Sequence, residues 1–319
     1  MSIFVGVPEQ APSQHGRQNC KRVEIFDGVS PIRISSDSSA CKCGSPVTLV
    51  TSFYDIGDRS KHSQWQMSAW TERFFSLTDN MVVYTDSGTL EKIKRVREHS
   101  LGCTIIFIQP LFRTEIGKSV NWTQQKTLDP EASIHSEELY IIWNQKMLWL
   151  AEVAESNPYG SLQFFWADAG QFRDDYFFDT HILAGESWVS SVAFLPICRF
   201  AFLSIQPFTR TEVTLTADGT SLPLDSILVR LGGGNFGGDA CAIIKMRQKF
   251  LRMLFRYVEA GVFAGKDQPL YGSICIENRD LCFLISGDDI KESRDIWFAM
   301  QPVLHGIIDP VPQYHVPVK

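Results

Sequence analysis

No stretch of this chain is apolar for long enough to cross a bilayer. The longest candidate, SVAFLPICRFAFLSI (191–205), carries Arg199 and is short, whereas a spanning helix needs about 20 apolar residues. Positive charge is not in excess: 30 Lys and Arg stand against 36 Asp and Glu, for a formal charge of −6. That argues against a general nucleic-acid binder, which shows a basic surface. The first residues, MSIFVGVPEQAPSQHG, have neither a basic stretch nor an apolar core. No signal peptide is expected from them, and a cytoplasmic location is expected, with the secretory-pathway lumen as the alternative. No G-x-S-x-G occurs, which disfavours an α/β-hydrolase. The seven histidines form no H-x-x-x-H or H-x-H pair, so a zinc hydrolase has little support. Of eight cysteines only Cys41 and Cys43 are close, as C-K-C and not C-x-x-C. Cys103, Cys275 and Cys282 lie in apolar, strand-like runs, where a free thiol behaves as a small hydrophobe. The cysteines are therefore expected to be mostly reduced and structural. No internal repeat or low-complexity tract is present.

What is there suits a soluble globular protein. The chain has 319 residues, 44% hydrophobic and 21% charged, enough for one large α/β domain or two modest ones. Residues 1–46 are rich in Ser, Pro, Gly and charge and read as an irregular N-terminal extension. From PVTLVTSFYD (46–55) the pattern changes. Short aliphatic runs near 47–53, 80–85, 103–108 and 162–168 read as strands. They alternate with helices over about 61–77, 90–100 and 136–155, which predicts a parallel sheet with crossover helices. Downstream, 210–224 reads as an antiparallel excursion turning at Asp218-Gly219. Residues 226–239 read as a strand running into a glycine cluster. The apolar spacing of 240–261 reads as a helix stopped by Gly261, and 280–286 as a further strand.

Several segments match a known family. They are VTLVTSFYDIGDR (47–59), NMVVYTD (80–86), HSEELYIIWNQKMLWLAEVAESNPYGSLQFFWADAGQFR (135–173), FGGD (236–239) and GKDQ (265–268). The chain resembles the HtrL/YibB-like proteins over about 47–286. The resemblance implies an α/β glycosyltransferase domain of GT-A type over 47–286, with 287–319 as a C-terminal tail packed on it or trailing it. It implies a Rossmann-like half for a nucleotide-sugar donor, an acidic motif at the end of a central strand, and a downstream half for a glycan or glycolipid acceptor.

Each motif has a chemical and a plainer reading. FFWADAGQFRDD (164–175) drives a strand into Asp168 and Gly170. A GT-A enzyme usually presents Asp-x-Asp there, near Mn²⁺ or Mg²⁺ that bridges the donor diphosphate, because the leaving group gains negative charge. Gly170 replaces the second acid, so Asp168 is the one expected metal ligand, and Arg173 is the alternative partner for phosphate charge. The plainer reading is a turn with a surface ion pair. In VTSFYDIGDR (50–59), Thr51, Tyr54, Asp55 and Arg59 would face the crevice at a strand end. The segment is also an ordinary loop. Asp86 suits a ribose diol or, more simply, a helix cap.

Lys146 is a phosphate candidate on the 136–155 helix, which also carries Asn144, Trp143 and Trp149. In GGGNFGGD (232–239) glycine permits close approach to a ligand, and Gly237 and Gly238 are the expected sugar contacts, with Asp239 an ordinary N-cap. Asp267 is the candidate proton acceptor for the attacking hydroxyl, with Gln268 beside it. The same segment suits a helix start with Pro269 at its first position. His135, at a helix start, reads as structural. The expected function is transfer of a sugar from a nucleotide-diphosphate sugar to a hydroxyl. The alternatives are a non-catalytic carbohydrate- or nucleotide-binding protein on the same fold, and a phosphotransferase of another type.

Overall fold

The computed structural model describes residues 23–26, 31–34, 45–57, 64–173, 175–182, 187–190, 192, 194–287, 290, 296–310 and 312–313. In chain order the strands are β1 (Val23–Phe26), β2 (Pro31–Ile34), β3 (Val47–Phe53), β4 (Asn80–Thr85), β5 (Thr104–Ile108), β6 (Gln163–Ala167), β7 (Phe200–Ser204), β8 (Leu231–Gly238), β9 (Cys282–Ser286) and β10 (Pro312–Gln313). The helices are α1 (Gln64–Phe75), α2 (Leu90–Val96), α3 (Glu115–Ser119), α4 (Trp122–Leu128), α5 (Glu137–Ser156), α6 (Asp175–His181), α7 (Ala240–Glu259), α8 (Asp267–Glu277) and α9 (Met300–His305).

The expected α/β architecture is present. One sheet runs β10-β9-β7-β8-β6-β3-β4-β5-β1-β2. Strands β6, β3, β4 and β5 are mutually parallel. Both faces of β3 and β4 are buried, which is why they read as continuous aliphatic runs and not as alternation. Strand order grows outward from β3 to β5, then β6 returns to the other side of β3. The carboxyl ends of β3 and β6 therefore flank a topological switch point, where open α/β sheets leave a crevice.

The antiparallel excursion lies elsewhere than expected. Residues 210–224 form turns around Gly219, with no strand. The glycine cluster itself is strand β8, inserted antiparallel between β6 and β7. Glycine is poor in strands by propensity, but here the space demands it. A Cβ at Gly237 would collide with the Phe164 carbonyl and stand 2.8 Å from Phe165 Cα, and one at Gly238 would stand 2.7 Å from the Arg199 carbonyl oxygen.

Two other expectations are corrected. Of the described residues within 1–46, 23–26 and 31–34 are not irregular: β1 pairs parallel with β5 and antiparallel with β2, so these two strands extend the sheet edge. The cysteines are not all reduced: Cys198–Cys241 links the entry of β7 to the first turn of α7, and Cys275–Cys282 links α8 to β9. Cys275 sits in a helix and Cys282 in a strand. The reversal between them brings their Cα atoms to 5.5 Å, within bonding reach; no local pattern of either residue signals that. Cys103 is free and buried. Cys20, Cys41 and Cys43 lie outside the described residues.

Apolar side chains fill both faces of the sheet. One core packs α5, α7 and α8 on the sheet, with Tyr84, Trp149, Trp166 and Phe236 stacked ring on ring at centroid separations of 4.9, 6.0 and 6.3 Å. The other holds Phe74, Phe172 and Trp188 together with Met300, Val303 and Leu304 of α9. The tail segment carrying α9 is thus part of the core. Among the described residues, no helix is long and apolar enough to cross a membrane.

Candidate functional site

A cavity of about 490 Å³ opens at the switch point. Its floor is built by three elements. Strand β6 ends at Ala167, and its next residue, Asp168, donates its backbone N–H to the Gly234 carbonyl at 2.8 Å. Helix α5, capped by Ser136 accepting from Leu139 N–H, brings Lys146 beneath it. Helix α8 starts with Asp267. Pro269 then stands third in that helix, still within the first turn, where its missing N–H costs no helical bond.

These three residues form a charged cluster. Lys146 Nζ lies 2.9 Å from Asp168 Oδ1 and 3.8 Å from Asp267 Oδ2, and donates to the Gly233 carbonyl at 2.9 Å. The Trp166 indole N–H also donates to Asp168 Oδ1, at 2.7 Å. This is why the aromatic strand runs into a carboxylate: the aspartate is held by an indole and a buried ammonium. Lys146 and Asp267 are almost fully enclosed, whereas the Asp168 side chain is 39% exposed and reaches into the cavity. Burial alone would pull the Lys146 ammonium down, but Asp168 and Asp267 outweigh it and hold it above the ordinary lysine value. Burial pushes the Asp267 carboxyl up to about 6, with the Asp168 charge adding to the rise and Lys146 opposing it.

Glycines give this cluster room. A Cβ at Gly233 would stand 3.1 Å from Asp267 Oδ1, and one at Gly234 3.6 Å from Asp168 Oδ2. Between β6 and the cluster, Asn235 is 3% exposed and lines the cavity, and neither atom of its amide has a protein partner. Gln268 is fixed by donating to the Leu231 carbonyl at 3.0 Å. On the outer wall Arg173 lies over Trp70 at 4.9 Å and Phe298 at 5.4 Å and donates to the Gly170 carbonyl. A stacked, exposed guanidinium at a cavity mouth is well placed to meet an anion.

The sequence candidates separate clearly. Asp168, Lys146, Arg173, Asp267, Gln268 and Tyr54 come together around the cavity. Tyr54 contributes mostly to packing, since its ring stacks on Trp149 and its hydroxyl donates to the Gln109 carbonyl. Thr51 is fully buried within β3, and its neighbours Ser52 and Phe53 line the cavity instead. Asp55 is exposed and turns back on the Gly57 N–H. Asp86 accepts from the Thr89 N–H at the start of α2, its plainer reading. Gly237 and Gly238 pack against neighbouring strands, and it is Gly233 and Gly234 that line the cavity. Asn144 ties α5 to the Ala264 and Gly265 carbonyls. Arg59 lies outside the described residues. Sequence reasoning missed Gly233, Gly234 and Asn235; one amide inside a glycine run was the available signal.

The residues do not fit the two-carboxylate metal site that GT-A chemistry expects. Gly170 offers no ligand, and the position between Asp168 and Asp267 is filled by the Lys146 ammonium. Asp168 is the more exposed of the two carboxylates at the cavity, and Asp267 Oδ2, without a hydrogen-bond partner, is enclosed 3.8 Å from the Lys146 ammonium. A second group, Cys198, Asp239 and Cys241, has metal-like spacing. Its sulfurs are joined, and Asp239 accepts from Ala242 N–H as the α7 N-cap and from Cys198 N–H.

Residues 45–184 match the model of one family, "Bacterial protein of unknown function (HtrL_YibB)". The matched region runs from β3 through α6 and so contains Lys146, Asp168 and Arg173; β8 and Asp267 lie beyond it. No curated protein matches the chain by sequence. Solved structures similar to it include mouse xyloside xylosyltransferase 1 in apo form, at 13% identity, TM-score 0.40, covering 75% of this chain and 84% of that one. They also include core-mannan synthase A of Aspergillus fumigatus in a Mn/GDP form, at 10% identity, TM-score 0.41, covering 84% of this chain and 86% of that one.

Proposed function

We propose that this protein transfers a sugar from a nucleotide-diphosphate sugar to a hydroxyl of a glycan or glycolipid. The observation that carries the reading is the buried Lys146 held between Asp168 and Asp267 at the floor of a switch-point cavity. As the bond from the sugar to the diphosphate breaks, negative charge grows on the leaving phosphate oxygens, and a pre-positioned cation stabilises it. Lys146 supplies such a cation from below and Arg173 from the mouth. The acceptor hydroxyl must lose a proton. Asp267, with its carboxyl pushed up to about 6, is ionised at neutral pH yet basic enough to take that proton. Asn235 and Gln268 offer hydrogen bonds to the sugar, and Gly233 and Gly234 let it approach the backbone.

The two disulfides favour an oxidising compartment over the cytoplasm. A second reading, a binding protein without turnover, is favoured by Gly170 in place of an acid and by carboxylates already neutralised by Lys146.

Thermal unfolding with uridine, guanosine and adenosine diphosphates, each with and without Mn²⁺, tests the proposal. A ligand at 100 times its Kd adds about 2.7 kcal/mol, a shift of roughly 4 °C for a chain of this size. A base-selective shift without metal dependence is expected. No shift with any nucleotide would overturn the donor assignment. A shift without sugar release in the presence of donor and acceptor would favour the second reading.

A further inference from the structure

The cavity has a second polar pole. His135 is 3% exposed and lines the wall. Its Nδ1 lies 2.8 Å from Asp129 Oδ2. Asp129 is itself fixed by the Tyr140 hydroxyl, which donates at 2.6 Å, and by the Glu131 N–H at 2.8 Å. Burial pushes the Asp129 carboxyl up, but these donors and His135 outweigh it and hold it below the ordinary value. An ionised Asp129 accepts a hydrogen bond from Nδ1–H and leaves Nε2 as the ring nitrogen in need of a partner of its own. Nε2 has no protein partner. Buried polar atoms are nearly always satisfied, and this one, on an enclosed side chain whose residue lines the cavity, asks for an explanation.

The rest of the ring is occupied. Tyr140 and Trp143 meet it edge-on, at 6.3 and 5.0 Å between centroids. Trp143 also lines the cavity, one helical turn before Lys146, with Leu139 and Ile142 on the same wall. At 1.5 Å per residue, Glu137 at the start of α5 lies about 13.5 Å along the helix from Lys146, with His135 two residues before it. That exceeds the length of one hexose. An aromatic wall beside an oriented hydrogen-bonding nitrogen is the chemistry that recognises a sugar ring: apolar C–H face on the indole, hydroxyl on the imidazole.

We infer that Asp129, His135 and Trp143 form a distal subsite that binds a sugar unit of an extended acceptor glycan, away from the reacting hydroxyl. His135 is the contacting group, and Asp129 is a positioning residue. The inference rests on the proposed glycosyl transfer. It implies that the acceptor has at least two sugar units.

The test uses the full chain on an array of immobilised mono-, di- and trisaccharides. Thermal shifts with the nucleoside diphosphates are recorded alongside. Wild type should bind some di- or trisaccharide. His135→Gln should weaken that binding about tenfold, the worth of one buried hydrogen bond, while leaving the nucleotide shift unchanged. Trp143→Leu, which does not touch the Asp129 bonds, should weaken it likewise and guards against a misfolded His135 variant. Saccharide binding undiminished in Trp143→Leu and in folded His135→Gln would overturn the subsite. So would a wild type that binds no saccharide. In either case a nucleotide shift that persists leaves the proposed function standing, and its absence removes both.

Discussion

Asp267 is the place where a purely physical measurement reaches the proposed chemistry. Its carboxyl rises from the ordinary 3.8 to about 6 because it is buried at the start of α8 with Asp168 nearby. A raised carboxyl means that the folded protein holds its proton more tightly than the unfolded chain. Between about pH 4 and 6 the folded state therefore binds more protons, and stability falls as pH rises through this window. The loss from this one group is about 3 kcal/mol, at 1.36 kcal/mol per unit. Above pH 6 the penalty is complete and constant. Asp267→Asn cannot titrate, so its stability should lack this component.

The assay is urea unfolding of wild type and variant at pH 4.0 and pH 7.0, the two free energies being subtracted for each protein. Carboxylates remote from the cluster titrate alike in both proteins and cancel. The wild type should lose about 2.4 kcal/mol more than the variant on going from pH 4.0 to pH 7.0, the remainder being lost already below pH 4. Sugar transfer in the variant should fall by two or more orders of magnitude if the group takes the acceptor proton, about 10²–10⁴-fold being typical. Superimposable pH dependences would refute the argument, showing that Asp267 titrates as an ordinary carboxylate.

Other outcomes follow from the same geometry. Lys146→Met leaves two carboxylates at the cavity floor without their buried cation and should cost about 3–5 kcal/mol, read by chemical denaturation. It should also remove the nucleoside diphosphate shift. Gly233→Ala should leave folding nearly intact but impair transfer, because its Cβ would press on Asp267 Oδ1 at 3.1 Å; Gly237→Ala, whose Cβ would meet the neighbouring strand, should instead lower the melting temperature. Thiol mapping of the unreduced, denatured chain should find Cys198–Cys241 and Cys275–Cys282 bonded. Reduction should cost about 4 kcal/mol for the larger loop, which spans a separation of 43 residues.

The sequence alone determined the repeating strand-and-helix order of the first half. Period and length suffice there: NMVVYT is β4 to the residue, and SIHSEEL announces the cap and first turn of α5. It also pointed to Asp168, Lys146, Arg173 and Asp267, with Gln268 beside the last in the GKDQ segment, since polar groups next to apolar runs are visible without a fold. The tertiary structure alone decided the rest. GGGNFGG has no strand propensity, yet it is a central strand because Phe164 and Arg199 leave no space for a Cβ. Thr51 and Ser52 are neighbours on one strand, and only the pleat sends one into the core and the other to the cavity. His135 and Asp129 are separated by a loop whose path no local pattern encodes. The same holds for the ammonium of Lys146, which stands between two aspartates brought together from the end of β6 and the start of α8, some hundred residues apart in the chain. Charge balance in a buried site depends on distance and exclusion of water, and both are properties of the fold.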